Sequence, residues 1–327
     1  MGRVTPAQIA AAARALRAGE LVAFPTETVY GLGADARNPA AVRRIFAVKG
    51  RPARHPLIVH LADIGQLPAW AREVPEAARR LAERFWPGPL TLVLPRAAGV
   101  EDSVTGGQDT VALRVPANPV AQQLLAAFGG GIAAPSANRY GRVSPTCAEH
   151  VREEFGETVP IVLDGGECAI GLESTIVAFQ DGVARLLRPG RITAGEITAL
   201  IGPLAIGADA GSPRVPGSTP AHYAPSTPLS IVPSEQIEAR SAALTQSGRP
   251  VAVLAWRPSA APHPGVLWID AGARAPQYAH DLYAHLRTLD KSGAERILVQ
   301  DVPDGEAWAA IRDRLRRAAA GAKQETP

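Results

Sequence analysis

Cysteine is nearly absent from this chain. Only Cys147 and Cys168 occur in 327 residues, neither in a CxxC pair nor in a Cys/His set with metal-ligand spacing. That argues against a disulfide framework and a structural zinc site, and makes a reducing, cytoplasmic compartment the expectation. Long apolar runs are missing as well: none approaches the roughly 20 residues of a membrane span, so no membrane partner is expected. The N-terminal stretch spaces arginines through alanines and lacks the apolar core of a secretion signal. Pro6 occupies the position where a myristoylation motif needs Ser or Thr. The common nucleotide signatures are absent too. There is no GxxxxGK[ST] loop and no GxGxxG after a strand, Gly31-Leu32-Gly33 being a fragment of the latter. Lysine is scarce, with three against 31 arginines, which makes Lys49 stand out.

What is present suits a globular protein. Hydrophobic residues make up 46% and charged residues 20%, enough to bury substantial cores, and the length is about that of two domains. The net charge of +3 hides an asymmetry. Residues 1–60 hold nine Arg/Lys against three acids, a local +6, leaving −3 for the remainder. A basic first segment suits an anionic ligand such as a nucleotide or RNA.

Capping signals place the helices. Thr5-Pro6 opens one that Gly19 stops, Asn38-Pro39 opens one running towards Lys49, and Thr193 with Glu196 forms a capping box for 194–201. Further helices are predicted at 75–85, 119–128 and 145–155, the last opened by Ser144 as N-cap. Strands are predicted at Leu21–Phe24, Leu57–Leu61, Leu90–Leu94, Val111–Val115, Gly131–Ala134, Ile161–Leu163, Ser174–Phe179 and Ala184–Leu187. The mixture defines an α/β domain over residues 1–202. Six prolines between Pro203 and Pro228 mark 203–228 as a linker. Beyond it, strands at Leu229–Val232, Val251–Leu254, Val266–Ile269 and Arg296–Val299 alternate with helices from Ser234, at 276–289 and at 305–319. Residues 229–327 thus read as a smaller, Rossmann-like α/β domain.

Four polar segments sit where apolar strands end. They are Phe24-Pro25-Thr26-Glu27-Thr28-Val29-Tyr30-Gly31; Lys49-Gly50-Arg51-Pro52 with His55-Pro56-Leu57-Ile58-Val59-His60; Thr110 to Pro116 with Ala134-Pro135-Ser136-Ala137-Asn138 and Ser144-Pro145-Thr146; and Glu173-Ser174-Thr175 with Leu187-Arg188-Pro189-Gly190. Singly, each has an ordinary structural explanation, since Ser and Thr at strand ends usually cap turns. Jointly and in order, they resemble the YrdC-domain family of threonylcarbamoyl-AMP synthases over residues 5 to about 202. Ser212 to Gly217 and His222-Tyr223-Ala224-Pro225 resemble the linker of its two-domain members.

The resemblance implies a twisted mixed sheet and an enzyme that joins L-threonine, bicarbonate and ATP. It implies a threonine pocket of Thr28, His60, Arg114, Ala134 and Ser174. ATP contacts would come from Arg51, His55, Thr110, Ser136, Asn138, Ser144, Arg188 and Tyr223, with Lys49 and Arg51 carrying the catalytic charge. Magnesium is expected with the ATP, with no protein ligand assignable. A downstream tRNA threonylcarbamoyl transferase and tRNA are the implied partners. His55 departs from an Asn found in many members, and Ala134 from a Ser found in some. A double-stranded-RNA-binding module would explain the basic segment but not Thr28, His60 and Ser174. The carbamoyltransferase of hydrogenase maturation shares the YrdC domain but needs cysteine-rich zinc segments, which two cysteines cannot build.

Overall fold

The computed structural model describes residues 4–180, 182–261 and 263–321. They divide into two compact units. The first takes in the chain up to Tyr140, Pro145–Ala169 and Glu173–Ser218; the second takes in Gly141–Ser144, Ile170–Leu172 and the chain from Thr219 onward.

The first unit runs α1 (Pro6–Arg17), β1 (Val22–Phe24), β2 (Gly31–Asp35), α2 (Pro39–Lys49), β3 (Ile58–His60), α3 (Glu76–Phe85), β4 (Leu90–Pro95), α4 (Asp102–Thr105) and β5 (Thr110–Arg114). It continues with α5 (Pro119–Phe128), β6 (Ile132–Ala133), α6 (Ala148–Phe155), β7 (Thr175–Gln180), β8 (Val183–Arg188), α7 (Ala194–Ile201) and β9 (Ala205–Ile206). The helix starts follow their caps. Thr5 and Gln8 close a capping box on α1, the Asn38 side chain accepts from the Ala40 and Ala41 N–H groups, and Thr193 with Glu196 caps α7.

The strands form one mixed sheet in the order β1-β2-β6-β3-β5-β4-β7-β8-β9. Its central step is the parallel pairing of β3 with β5, which sets Ile58 opposite Ala112 and His60 opposite Arg114. Because side chains alternate along a strand, Val111 and Leu113 enter the main core while Thr110, Ala112 and Arg114 share the other face. That second face is covered in two patches. At one end α1 and α5 pack on Val22, Phe24, Ile132 and Ala134. At the other, Ile58, Val93, Ala112, Ile176 and Leu187 are capped by Val215.

Four sequence expectations change. β2, with the sequence Gly-Leu-Gly-Ala-Asp, was not anticipated, since glycine weakens a strand; Gly33 is required there because a Cβ would lie 2.8 Å from Ile132 and Phe24. Ile161–Leu163 makes a single bridge to Ala23 rather than a strand. α6 starts at Ala148, with Cys147 and not Ser144 in the capping position. The carbonyls of Pro145 and Thr146 accept from the Tyr30 and Cys168 N–H groups instead, so they cannot open a helix. Residues 203–218 are not a free tether. β9 pairs with β8, Gln108 accepts from the Arg214 N–H at 2.7 Å, and the Pro216 carbonyl accepts from Arg188 at 2.9 Å.

The second unit contains β10 (Leu229–Val232), α8 (Ile237–Gln246), β11 (Val251–Ala255), β12 (Val266–Asp270), α9 (Ala275–Asp290), β13 (Arg296–Gln300) and α10 (Ala309–Gly321). All four strands are parallel, in the order β10-β13-β11-β12. Both faces of such a sheet must be covered. Ile237 of α8 packs on Val232, Val251, Val253 and Leu298, leaving Ala252 and Leu254 to the opposite face.

Gly190 ties the first unit's fold to its pocket: a Cβ there would lie 2.4 Å from the Thr175 nitrogen and 2.8 Å from the Ser174 carbonyl carbon. Gly190→Ala should therefore cost about 1–3 kcal/mol, the usual range for overpacking, measured by urea unfolding. A variant as stable as the parent would show that this approach can relax freely.

Candidate active site

The pocket is built from turns at strand ends. After β1, Thr26 folds the chain back on itself: its hydroxyl donates to the Val29 carbonyl at 2.6 Å and accepts from the Thr28 and Val29 N–H groups. This local turn fixes Glu27 and Thr28. Arg114, at the end of β5, reaches them. Its Nη1 donates to Thr28 Oγ1 at 2.9 Å, its Nη2 to Glu27 Oε1 at 2.7 Å, and its Nε to the Gly88 carbonyl at 3.2 Å. The other Glu27 oxygen accepts from the Ala117 N–H at 2.9 Å.

A second hydroxyl group of residues lies at the start of β7. Ser174 Oγ and Thr91 Oγ1 are 2.7 Å apart, and Arg188 donates to the Ser174 carbonyl at 3.0 Å and to its hydroxyl at 3.1 Å. His60 stands opposite Arg114, edge-on to Phe24 at 5.9 Å. Burial, and then the Arg114 charge, push its pKa down to about 3, so the ring is neutral at physiological pH.

The cations form a further cluster. Lys49, the last residue of α2, donates through Nζ to the Ser136 carbonyl at 2.6 Å and to the Asn138 carbonyl. Burial and the neighbouring Arg51 hold its pKa well below that of an ordinary lysine. Arg51 donates to the Pro56 carbonyl at 3.1 Å and lies 6.0 Å from the centre of the Tyr140 ring, which meets His55 edge-on at 5.6 Å. His55 titrates below the usual histidine range because of its burial and then Arg51 and Arg214.

Thr28, His60 and Arg114 are thus joined by contacts or register, Ser174 and Arg188 are joined with Thr91, and Lys49 joins Ser136 and Asn138. Ala134 serves the sheet, its N–H donating to the Ile58 carbonyl at 2.9 Å. Thr110 is at the far end of β5, about 13 Å from Arg114 for a four-residue rise. Ser144 and Tyr223 belong to the second unit. Ser144 is buried there, and the helix it was expected to cap opens instead at Ala148. Tyr223 is buried in a left-handed conformation (φ 62°), stacked on Tyr283 at 5.8 Å and under Arg314 at 5.4 Å. Sequence reasoning missed Glu27, Thr91 and Tyr140. No local signal marks Glu27, whose partner Arg114 lies 87 residues away.

A mixed α/β sheet carrying buried guanidinium and ammonium groups beside buried hydroxyls is the kind of site that suits small anionic ligands. A family model described as telomere recombination (Sua5, YciO, YrdC) matches residues 14–190, and one described as threonylcarbamoyl-AMP synthase, C-terminal domain, matches residues 192–320. The chain belongs to the threonylcarbamoyl-AMP synthase family. It is 44% identical to the threonylcarbamoyl-AMP synthase of Bacillus subtilis, over 96% of this chain and 93% of that one. Its identity to the Pyrococcus abyssi enzyme of the same name is 42%, over 97% and 95%. The crystal structure of P. abyssi Sua5 complexed with L-threonine superposes with a TM-score of 0.91 at 41% identity, covering 98% of this chain and 96% of that chain.

His60 has a consequence for stability. Its folded pKa lies below the unfolded value of about 6.5, so the unfolded chain takes up a proton first as pH falls. The stability is complete above pH ~6.5 and declines towards the folded pKa, with a slope of up to about 1.4 kcal/mol per pH unit from this group. Urea midpoints measured from pH 7.5 to 5 should show this slope, and His60→Gln should remove it; an unchanged slope would assign the proton elsewhere.

Proposed function

We propose that this chain converts L-threonine, bicarbonate and ATP into L-threonylcarbamoyladenylate and pyrophosphate, for the threonylcarbamoyladenosine modification of tRNA. The observation that carries the reading is Arg114. A guanidinium has five N–H donors, and three are engaged by Gly88, Thr28 and Glu27. One remains on each terminal nitrogen, the complement of the two oxygens of a carboxylate. The hydroxyls of Thr28 and Ser174 and the neutral His60 ring supply polar partners for a small hydroxylated amino acid.

In this reading threonine's amine bonds to the bicarbonate carbon as its nitrogen gives up a proton and the C–OH bond breaks, releasing water and leaving an N-carboxylate. An oxygen of that carboxylate attacks the α-phosphorus of ATP, and pyrophosphate leaves with the electrons of the broken P–O bond. Lys49, Arg51 and Arg188 lie in the same unit and would oppose the negative charge that develops on the phosphates. No side-chain nucleophile is required, so the contribution of the protein is positioning and electrostatics. Among the described residues no group of three His, Cys, Asp or Glu side chains could hold a metal. Magnesium is expected to accompany the nucleotide's phosphates, with no protein ligand assigned. No helix among the described residues is long and apolar enough to cross a membrane; a cytoplasmic enzyme handing its product to a tRNA threonylcarbamoyl transferase fits this reading.

Pyrophosphate release should require threonine and bicarbonate together. Tight RNA binding with no such release under any condition would replace this reading with that of an RNA-binding module. Amino-acid selectivity should be uneven. Serine, lacking one methyl, should be disfavoured by roughly 10- to 200-fold. Valine leaves buried polar groups unpaired and should be rejected more strongly, as judged from kcat/KM. Valine turning over as well as serine would show that the hydroxyl is not read.

A further inference from the structure

We propose that Glu27 is a positioning residue: it holds the Arg114 guanidinium in the orientation that accepts a carboxylate, and by neutralising it keeps nucleotide phosphates out of the amino-acid pocket. The proposal rests on the threonine reading of that pocket.

Glu27 and Arg114 are both buried, with side chains 9% and 4% exposed. A buried ion pair of this kind often contributes no more stability than apolar side chains of the same volume, so its value here lies in aiming a charge. Arg114 is pinned at three nitrogens from two segments: by Gly88 before β4, and by Thr28 and Glu27 in the turn after β1. Two of those anchors are neutral oxygens, and Glu27 is the ionic one. Glu27 is itself held at both oxygens, since Oε2 accepts from the Ala117 N–H beyond β5. The carboxylate therefore ties the turn after β1 to the turn after β5 and fixes the guanidinium plane between them. Without it, the terminal nitrogens would keep only the Thr28 hydroxyl as a reference.

The second consequence is electrostatic. An unpaired buried guanidinium attracts any anion, and triphosphate carries more charge than threonine. Paired with Glu27, Arg114 presents directed N–H groups with its charge largely balanced, so recognition depends on the geometry of a carboxylate. The phosphates are left to Lys49, which donates to the Ser136 and Asn138 carbonyls, and to Arg51, which donates to the Pro56 carbonyl.

The test uses the full chain and measures threonine binding by calorimetry without ATP, then pyrophosphate release over titrations of each substrate. Glu27→Gln should raise the threonine Kd and KM by about 10-fold or more, the scale of a charge-assisted hydrogen bond. The ATP KM and the kcat at saturating threonine should stay within about twofold. Inorganic pyrophosphate should now compete with threonine, as it should not in the parent. Introduced on top of Arg114→Ala, Glu27→Gln should add nothing, because it acts through that guanidinium. Should the Gln variant not fold, Glu27→Asp keeps the charge but shortens the reach, and should raise the threonine KM without admitting pyrophosphate. Unchanged or tighter threonine binding in Glu27→Gln overturns the proposal, as does an equal rise in both KM values or an additive effect with Arg114→Ala. A parent chain that binds no threonine overturns the pocket reading itself.

Discussion

Burying cations is the constraint that shapes the first unit. Lys49, Arg51, Arg114 and Arg188 are all buried, and taking such groups out of water costs several kcal/mol each unless their donors are met. Much of the answer is main-chain carbonyl oxygen supplied by turns. Ser136 and Asn138 serve Lys49, Pro56 serves Arg51, Gly88 serves Arg114, and Ser174 with Pro216 serves Arg188. Proline suits this duty because it has a carbonyl acceptor and no N–H of its own to satisfy. The polar segments at strand ends are therefore acceptor rims around buried charge.

Carbonyls and carboxylates do different things to a cation, and the site uses both. A carbonyl orients a donor and leaves its formal charge in place; a carboxylate orients and neutralises. Lys49, held by carbonyls and next to Arg51, gives up its proton more readily than an exposed lysine. An incoming phosphate would reverse that tendency by favouring the charged form, so anion binding and proton uptake are linked at this residue. Arg114 has Glu27, and the neutral His60 ring stands across from it on β3. One end of the site is thus poised for charge and the other for shape.

Much of this could be read from the sequence because local chemistry set it. Asn38-Pro39 and Thr193 with Glu196 cap their helices through hydrogen bonds a few residues long, and the helices begin where those signals stand. Strands such as Leu90–Pro95 are apolar runs that any packing would bury. What escaped depended on distant partners. β2 is a strand despite two glycines because Phe24 and Ile132 leave no room for a side chain at Gly33. Ser144-Pro145-Thr146 looks like a helix start but its carbonyls are claimed by Tyr30 and Cys168, far away in sequence. The candidate threonine contacts came from a family resemblance; Thr28 meets Arg114 in the structure, and Ser174 meets Thr91 and Arg188. Glu27 was hidden because nothing in a Thr-Glu-Thr triplet states that a strand end 87 residues later supplies its arginine.

The register of β5 gives these parts a common scale. Thr110, Ala112 and Arg114 lie on one face at every second position, with Ala112 presenting only a methyl group between two longer side chains. A strand is stiff along its length, so the separation of its two ends, about 13 Å here, cannot collapse or drift as a loop's would. Ile58 opposite Ala112 and Val215 above the same patch give that stretch a flat apolar floor and a cover drawn from the segment after β9. In the proposed reaction an amino acid held at Arg114 and a nucleotide laid along the strand would meet at a distance set by backbone geometry. Affinity for either substrate could then be tuned at one end of β5 without moving the other.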